Sequence, residues 1–351
     1  MDMIGLDLHK RESQLCIKSE DGRISERRIV TSRERFTAVL GSRPRARILL
    51  EATTESEWVA RHLESLGHEV IVADPNYAPM YANRSRRTKT DKRDARTLLD
   101  ALETGAYRPA HRLSDARRHV RAELAVREAL VRTRTRYIAV AKTLVRRDGL
   151  RVAGSASETV AERIAALALS PTLASELTPL FAVLRPLNEQ IAAADQRVSA
   201  VAKADPAMVL LATAPGIGAV TAAAFVATVD DVKRFRSAHE VEAYLGIVPG
   251  ERSSGEKRRI GRLTKAGNSR VRWLLVEAGW RILRSKSPET AALRAWALRI
   301  AGRRGKRVAA VALARRLAGI LYAMWRDGAE YDARKIRFPR PETQEVMARA
   351  G

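Results

Sequence analysis

The sequence predicts an α/β domain at the N-terminus, a helical coiled-coil middle and a mostly helical, basic C-terminal region. Three observations lead there. The first hundred residues alternate strand-like and helix-like runs in the order βββαβαβα; two heptad seams follow; and beyond residue 250 aliphatic residues at helical spacing interleave with Lys and Arg. A chain of 351 residues has room for two or three domains with cores of their own.

The first three strands are read in MIGLDL (3–8), SQLCIK (13–18) and RISERRIVT (23–31), the last two joined by the turn signal EDGR. A short helix near 33–40, a buried strand ARILLEA (46–52), a helix at about 55–66 ending at Gly67 and a strand EVIVAD (69–74) follow. Pro75 stops that strand. After a basic connection, a helix over 91–104 is closed by Gly105, a residue suited to the left-handed conformation at a helix C-terminus.

Over 114–148, Leu124, Val131, Ile138 and Val145 recur every seven residues, with Val120, Arg127, Arg134 and Ala141 as companions. Half of the companions are charged, so the seam is imperfect. A cleaner seam runs through Leu184, Leu187, Ile191, Ala194, Val198 and Val201 up to the break at Asp205-Pro206. Two such helices fold back on each other or pair between subunits, and periodicity does not choose. The expected segments are 1–108, 109–205, 206–337 and a tail, 338–351, containing Pro339 and Pro341.

Sixty-four Lys and Arg against forty Asp and Glu leave a formal charge of +24, which points to a polyanionic partner, nucleic acid first. Residues 250–316 concentrate it, with nineteen basic and four acidic side chains, and the spacing of Val271, Leu274, Leu275, Ala278 and Ile282 predicts helices with one wet cationic face. The single cysteine, Cys16, excludes a disulfide framework and a Cys-based zinc site. The N-terminus lacks the apolar core of a signal peptide and no run of about 18 apolar residues that could cross a bilayer is found, so the expectation is a cytoplasmic protein with no membrane partner.

Two acids, Asp91 and Asp94, sit inside the basic run RSRRTKTDKRDARTLL (84–99), three apart on one helix face. Asp7 alternates away from Leu6 and Leu8 in the first strand, and Glu51 ends the fourth. If those strands are neighbours, four carboxylates converge. Such a cluster repels itself without cations, and an all-oxygen set suits Mg²⁺ or Mn²⁺, which in pairs can hold both oxygens of an in-line phosphoryl displacement. Arg86, Arg87, Lys89, Lys92 and Arg93 then serve as phosphate clamps. The plainer alternative keeps Asp91 as a helix cap and Asp94 as the partner of an arginine one turn away.

Further on, APGIGAVTAAAF (214–225) has the form of a helix-hairpin-helix turn, in which Gly216 and Gly218 let backbone amides approach a phosphate, or simply make a tight connection. In PGERSSGEKRRIGRLTKAGNSRVRWLL, Ser253 and Ser254 lie in a loop among Arg252, Lys257 and Arg258. By composition this is a polar turn. Lys265, Asn268, Arg270 and Arg272 are candidates for phosphate or base contacts, with Gly267 allowing a turn, or else form a solvated helix face.

The strand order with acids on strand one, strand four and the last helix resembles the ribonuclease H-like fold in its RuvC-like form. More narrowly, GLDLHK, EAT, KTDKRDA, PGIG, SSG and KAGNSRVR resemble the DEDD insertion-sequence transposases, understood as bridge-RNA-guided recombinases, over nearly the whole chain. His9, Thr54 and Thr264 depart from the residues common there, and none of these removes a carboxylate. The resemblance implies that Asp7, Glu51, Asp91 and Asp94 form the metal-binding tetrad. It implies that Ser254, with Ser253 as fallback, attacks DNA to form a phosphoserine ester that a new strand can resolve. It also implies donor and target DNA, a structured guide RNA and a homodimer or homotetramer. The competing enzyme class is a metal-dependent, junction-resolving nuclease with no covalent serine step; a non-catalytic binder is the third.

Overall fold

The apolar run at the N-terminus forms strand β1 (Met3–Leu8), which pairs antiparallel with β2 (Glu12–Lys18), itself antiparallel to β3 (Ile24–Val30). The computed structural model describes residues 1–81, 90–154, 156–254 and 257–335, without the side chains of 251–260. They divide into two compact units, Met1–Arg112 and Leu113–Gly351.

In the first unit, α1 (Arg33–Leu40) leads to β4 (Arg47–Glu51), α2 (Ser56–Ser65) to β5 (Glu69–Ala73), and the unit's last helix is α3 (Asp91–Thr104). The sheet order is β3-β2-β1-β4-β5, with β4 parallel to both β1 and β5. Strand alternation sorts the side chains. Ile4, Leu6, Ile48 and Leu50 pack with Phe36 and Leu40 of α1 and Val59 and Leu63 of α2. On the other face Leu49 packs with Leu98 and Leu102 of α3. Edge strand β3 is largely exposed and carries Glu26, Arg27 and Arg28, charges that discourage pairing with another strand. The mixed five-stranded sheet is compatible with a ribonuclease H-like DEDD domain.

Thr90 caps α3, its hydroxyl accepting from the Arg93 amide, and Gly105 closes the helix at φ 68°. Gly5 of β1 lies directly beneath this helix. A Cβ there would collide with the Ala95 carbonyl and the Leu99 amide, both backbone atoms that cannot swing aside.

The second unit opens with α4 (Asp115–Arg147), then α5 (Val160–Ala165) and α6 (Pro171–Ala204). Ile138, Ala141 and Val145 of α4 meet Leu177, Leu184, Leu187 and Ile191 of α6, with Val160 and Ile164 of α5 in the same cluster. The charged seam positions are satisfied across this pair: Arg127 bonds Asp195, and Arg134 Nη1 donates to Asn188 Oδ1 at 3.2 Å and Glu158 Oε1 at 2.7 Å. The choice that periodicity left open falls to an intramolecular hairpin. Pro179 and Pro186 lie within α6 on its exposed side, where carbonyls deprived of a helical partner can meet water.

Next come α7 (Pro206–Ala212), α8 (Ala219–Val229), α9 (Ala238–Tyr244), β6 (Pro249–Ser254), β7 (Lys257–Leu263), α10 (Ser269–Arg284), α11 (Ala291–Arg304) and α12 (Lys306–Asp327). Helix α8 is buried from Thr221 to Val229 and forms the centre of a core that includes Leu275 and Ile282 of α10 and Leu313, Leu317 and Leu321 of α12.

Two sequence expectations are corrected here. The basic stretch after residue 249 is not helical throughout: Pro249–Ser254 and Lys257–Leu263 form an antiparallel hairpin, so Ser253 and Ser254 end a strand rather than occupy a loop. Strands this polar show no apolar alternation, so backbone pairing leaves little trace in the sequence. Second, α12 is long and apolar enough by composition to cross a bilayer. Counting uninterrupted apolar residues missed it because Arg315 and Arg316 break the run, and half of its most apolar window is buried in this core.

Gly5→Ala is expected to lower unfolding stability by about 3 kcal/mol, the upper range for overpacking. Denaturant titration followed by circular dichroism measures it; a loss under about 0.5 kcal/mol, typical of surface sites, contradicts the close packing of α3 on β1.

Candidate acidic site and basic surface

Asp7 follows Gly5 by two residues and so shares the face of β1 that α3 covers. Glu51 has the same relation to Leu49 in β4, and Leu6 pairs with Leu50 in register, which makes the two acids neighbours at one end of the sheet. Helix α3 begins at that end. Since Thr90 is the N-cap, Asp91 is the first helical residue, and the capping alternative for its carboxylate falls away.

His9 Nε2 lies 3.2 Å from Asp7 Oδ2 and 3.6 Å from Asp91 Oδ1, and one ligand atom from each of the three residues falls within 4.8 Å of the others. Asp7 is 13% exposed, while Asp91 and His9 are about half exposed at 49% and 51%. Among the described residues, Asp7 Oδ2 is buried without a hydrogen-bond partner. Burial pushes the Asp7 carboxyl above the ordinary carboxylate range; Asp94, Glu51 and Asp91 push it further, and His9 opposes them. Asp7 and Asp91 thus meet at one point with His9, and the charges of Glu51 and Asp94 are felt at the Asp7 carboxyl. Glu51 Oε1 accepts a hydrogen bond from Tyr81 Oη at 2.6 Å, which fixes one of its oxygens.

Among the predicted clamps, Lys92 is exposed and 3.6 Å from Glu26, and Arg93 is exposed. Arg86, Arg87 and Lys89 lie outside the described residues, as do the side chains of Arg252, Ser253, Ser254, Lys257 and Arg258.

Several C-terminal candidates have their polar groups engaged within the fold. Asn268 caps α10, its Oδ1 accepting from the amides of Arg270 and Val271 while its Nδ2 donates to Thr228 Oγ1 at 3.2 Å. Arg272 Nη1 donates to the Leu245 carbonyl at 3.0 Å and the Gly267 carbonyl at 2.5 Å, tying the turn before α10 to the end of α9. Gly267 is required because a Cβ would overlap the Tyr244 carbonyl. Arg270 lies 3.5 Å from Glu128 and stacks 4.5 Å from the centroid of the Trp273 ring, whose residue is 51% exposed. Lys265 is exposed at φ 56°. Of the two hairpin glycines, Gly216 has φ 78° and a Cβ there would sit 3.2 Å from the Ala278 carbonyl, so its first duty is packing against α10. Gly218 is exposed at the start of α8.

Two family models match the chain: one described as a transposase, of the DEDD type, over residues 4–147, and one described as the transposase IS116/IS110/IS902 family over residues 208–294. A putative transposase, y4qE, of Sinorhizobium fredii is 30% identical over 307 residues, spanning 77% of this chain and 73% of its own.

The chain belongs to the IS110/IS116 transposase family.

The transposase for insertion sequence element IS1111A of Coxiella burnetii is 28% identical over 327 residues, 92% of this chain and 89% of its own. A probable family 20 transposase of Pseudomonas aeruginosa is 29% identical over 336 residues, 92% and 96%. This insertion-sequence transposase is thus an enzyme acting on DNA, and its DEDD domain implies divalent metal. The residues fit that requirement: Asp7 and Asp91 offer hard oxygen donors, and among the described residues a buried Asp7 oxygen lacks a hydrogen-bond partner.

Two residues at the site escaped the sequence reading. His9 carried a usable signal, standing two positions after Asp7, while Tyr81 gave none because its contact with Glu51 spans thirty residues of chain.

A carboxyl whose folded pKa is raised contributes stability below its unfolded pKa, and that contribution is lost as pH rises through the folded value. At neutral pH in chelator, Asp7→Asn is therefore expected to unfold about 2–4 °C above wild type. The gap should close toward acid pH, and divalent metal should raise the wild-type midpoint alone. Scanning calorimetry in the two buffers checks both signs.

Proposed function

We propose that this transposase exchanges strands between donor and target DNA, guided by a structured RNA, through a covalent phosphoserine intermediate on Ser254. Asp7, Glu51, Asp91 and Asp94 hold Mg²⁺ or Mn²⁺. The observation that carries the reading is the meeting of Asp7 and Asp91, inside a strongly cationic chain, around a buried carboxylate oxygen with no hydrogen-bond partner among the described residues. When bound, the ions supply Lewis-acid stabilisation of the attacking and leaving oxygens of a phosphoryl displacement.

The chain's own residues divide the remaining work. Tyr81 orients Glu51, and α3 aims Asp91 and Asp94 at Asp7. Arg86, Arg87, Lys89, Lys92, Arg93, Arg252, Lys257, Arg258 and Lys265 neutralise DNA or RNA phosphates, and Gly218 opens the start of α8 to the backbone. Gly216, Asn268, Arg270 and Arg272 act behind this surface by fixing the elements that present it. The serine Oγ gives its proton to solvent water as its bond to phosphorus forms; the scissile P–O bond breaks and its sugar oxygen takes up a proton from solvent, so the exchange balances. A hydroxyl from the new strand then reverses these steps, so the bond energy is retained and no outside energy source is needed.

Guide base pairing supplies sequence, while the protein reads backbone shape. Two duplexes demand at least two cleavages, so the acting species is a homodimer or homotetramer. It works in the cytoplasm, with 1–108 as the RuvC-like catalytic domain, 109–205 as the helical region, 206–337 as the serine-bearing transposase domain and 338–351 as a tail.

Incubation with guide RNA, DNA and Mg²⁺ followed by a denaturing gel is expected to show protein-linked DNA. Ser254→Ala should reduce it about a thousandfold or more, as removal of a nucleophile does, with Ser253→Ala retaining it. Asp7→Ala or chelator should abolish the adduct as well. Free nicked product that survives Ser254→Ala would instead assign the tetrad to hydrolysis, as in a junction-resolving nuclease.

A further inference from the structure

We propose that His9 is a direct ligand of the divalent ion, giving the acidic site a nitrogen donor and tilting it toward Mn²⁺ over Mg²⁺. This rests on the tetrad reading above and adds a ligand of different chemistry to it.

His9 follows the end of β1, two residues beyond Asp7, and its ring turns back so that one atom, Nε2, faces two carboxylates. A ring N–H donates along a single line, yet Nε2 stands 3.2 Å from Asp7 Oδ2 and 3.6 Å from Asp91 Oδ1. Despite the shorter distance, Asp7 Oδ2 has no hydrogen-bond partner among the described residues, His9 included, so this contact lacks the angle a hydrogen bond needs. The spacing suits a shared cation instead. Around an octahedral ion with bonds of about 2.1 Å, adjacent donor atoms lie about 3 Å apart and opposite ones about 4.2 Å. The two measured separations, and the 4.8 Å bound on the three-atom set, are compatible with such a shell after a small contraction. Half exposure leaves the imidazole free to make that adjustment and leaves the ion open to water or a phosphate oxygen.

The chemical consequence is selectivity. Carboxylates alone suit Mg²⁺, whereas imidazole favours first-row transition ions, among which Mn²⁺ is the one that also accepts an oxygen-rich octahedral shell. Asp7 and Asp91 supply charge; His9 supplies the discrimination.

Pulsed electron paramagnetic resonance of the Mn²⁺-loaded full-length transposase tests this without reference to strand exchange. The wild type is expected to show ¹⁴N modulation from a coordinated imidazole. His9→Ser should remove it, weaken Mn²⁺ binding about tenfold and change Mg²⁺ binding, read by competition, less than about threefold. His9→Gln, which keeps the reach but offers oxygen, should lack the nitrogen signal while retaining the wild-type circular dichroism spectrum. Bound Mn²⁺ without ¹⁴N modulation, or modulation that persists in both variants, overturns the role of His9 while leaving the carboxylate site standing. Mn²⁺ binding that is absent, or indifferent to Asp7→Asn, overturns the tetrad and this ligand together.

Discussion

The close approach of helix α3 to strand β1 at Gly5 is the constraint on which the acidic site depends. With no side chain at that position, the backbone of α3 settles against the strand, and Ala95 and Leu99 pack with Cys16 beside it. Thr90 fixes where the helix begins. These two facts together bring Asp91 to Asp7, because a helix locked in register cannot slide its first turn away. Burying Leu98, Leu99 and Leu102 contributes about 2 kcal/mol apiece. Two carboxylates 4 Å apart repel by about 4 kcal/mol at an effective dielectric of 20. The quantities are comparable, so the apolar face of α3 can hold the acids together before a cation arrives.

A cluster of acids within a chain of net charge +24 divides electrostatic labour. Lysines and arginines spread over the chain attract the DNA backbone at long range. The cluster by itself would repel the phosphates so attracted. On the proposed function, a divalent cation held by the acids would reverse that local sign and so couple DNA engagement there to metal occupancy.

The C-terminal unit shows how poorly a basic sequence pattern distinguishes ligand contacts from internal ones. Asn268 and Arg272 share the short motif KAGNSRVR with exposed Lys265, yet Asn268 satisfies the first amides of α10 and Arg272 satisfies carbonyls of a neighbouring turn. Donor-rich side chains suit phosphate oxygens and backbone carbonyls equally well. Only the surroundings decide between them. The same holds for Arg127 and Arg134, which looked like defects in a coiled-coil seam and turn out to bind it to α6 and Glu158.

The sequence by itself determined the elements of the N-terminal unit, because strand alternation, the turn at Asp21-Gly22 and the terminator Gly105 are local signals with local causes. It also determined that Asp7 points away from Leu6 and Leu8. The polar hairpin at 249–263 left no such signal, its pairing being a matter of backbone hydrogen bonds that composition does not record. Tertiary structure alone decided that β1 and β4 are neighbours, that Glu51 is held by Tyr81, that His9 joins the acids and that Gly216 packs under α10. Each of these joins residues far apart in the chain or fixes the aim of a side chain beyond a strand end. Their distances are set by the packing of whole elements, which no local run of residues encodes.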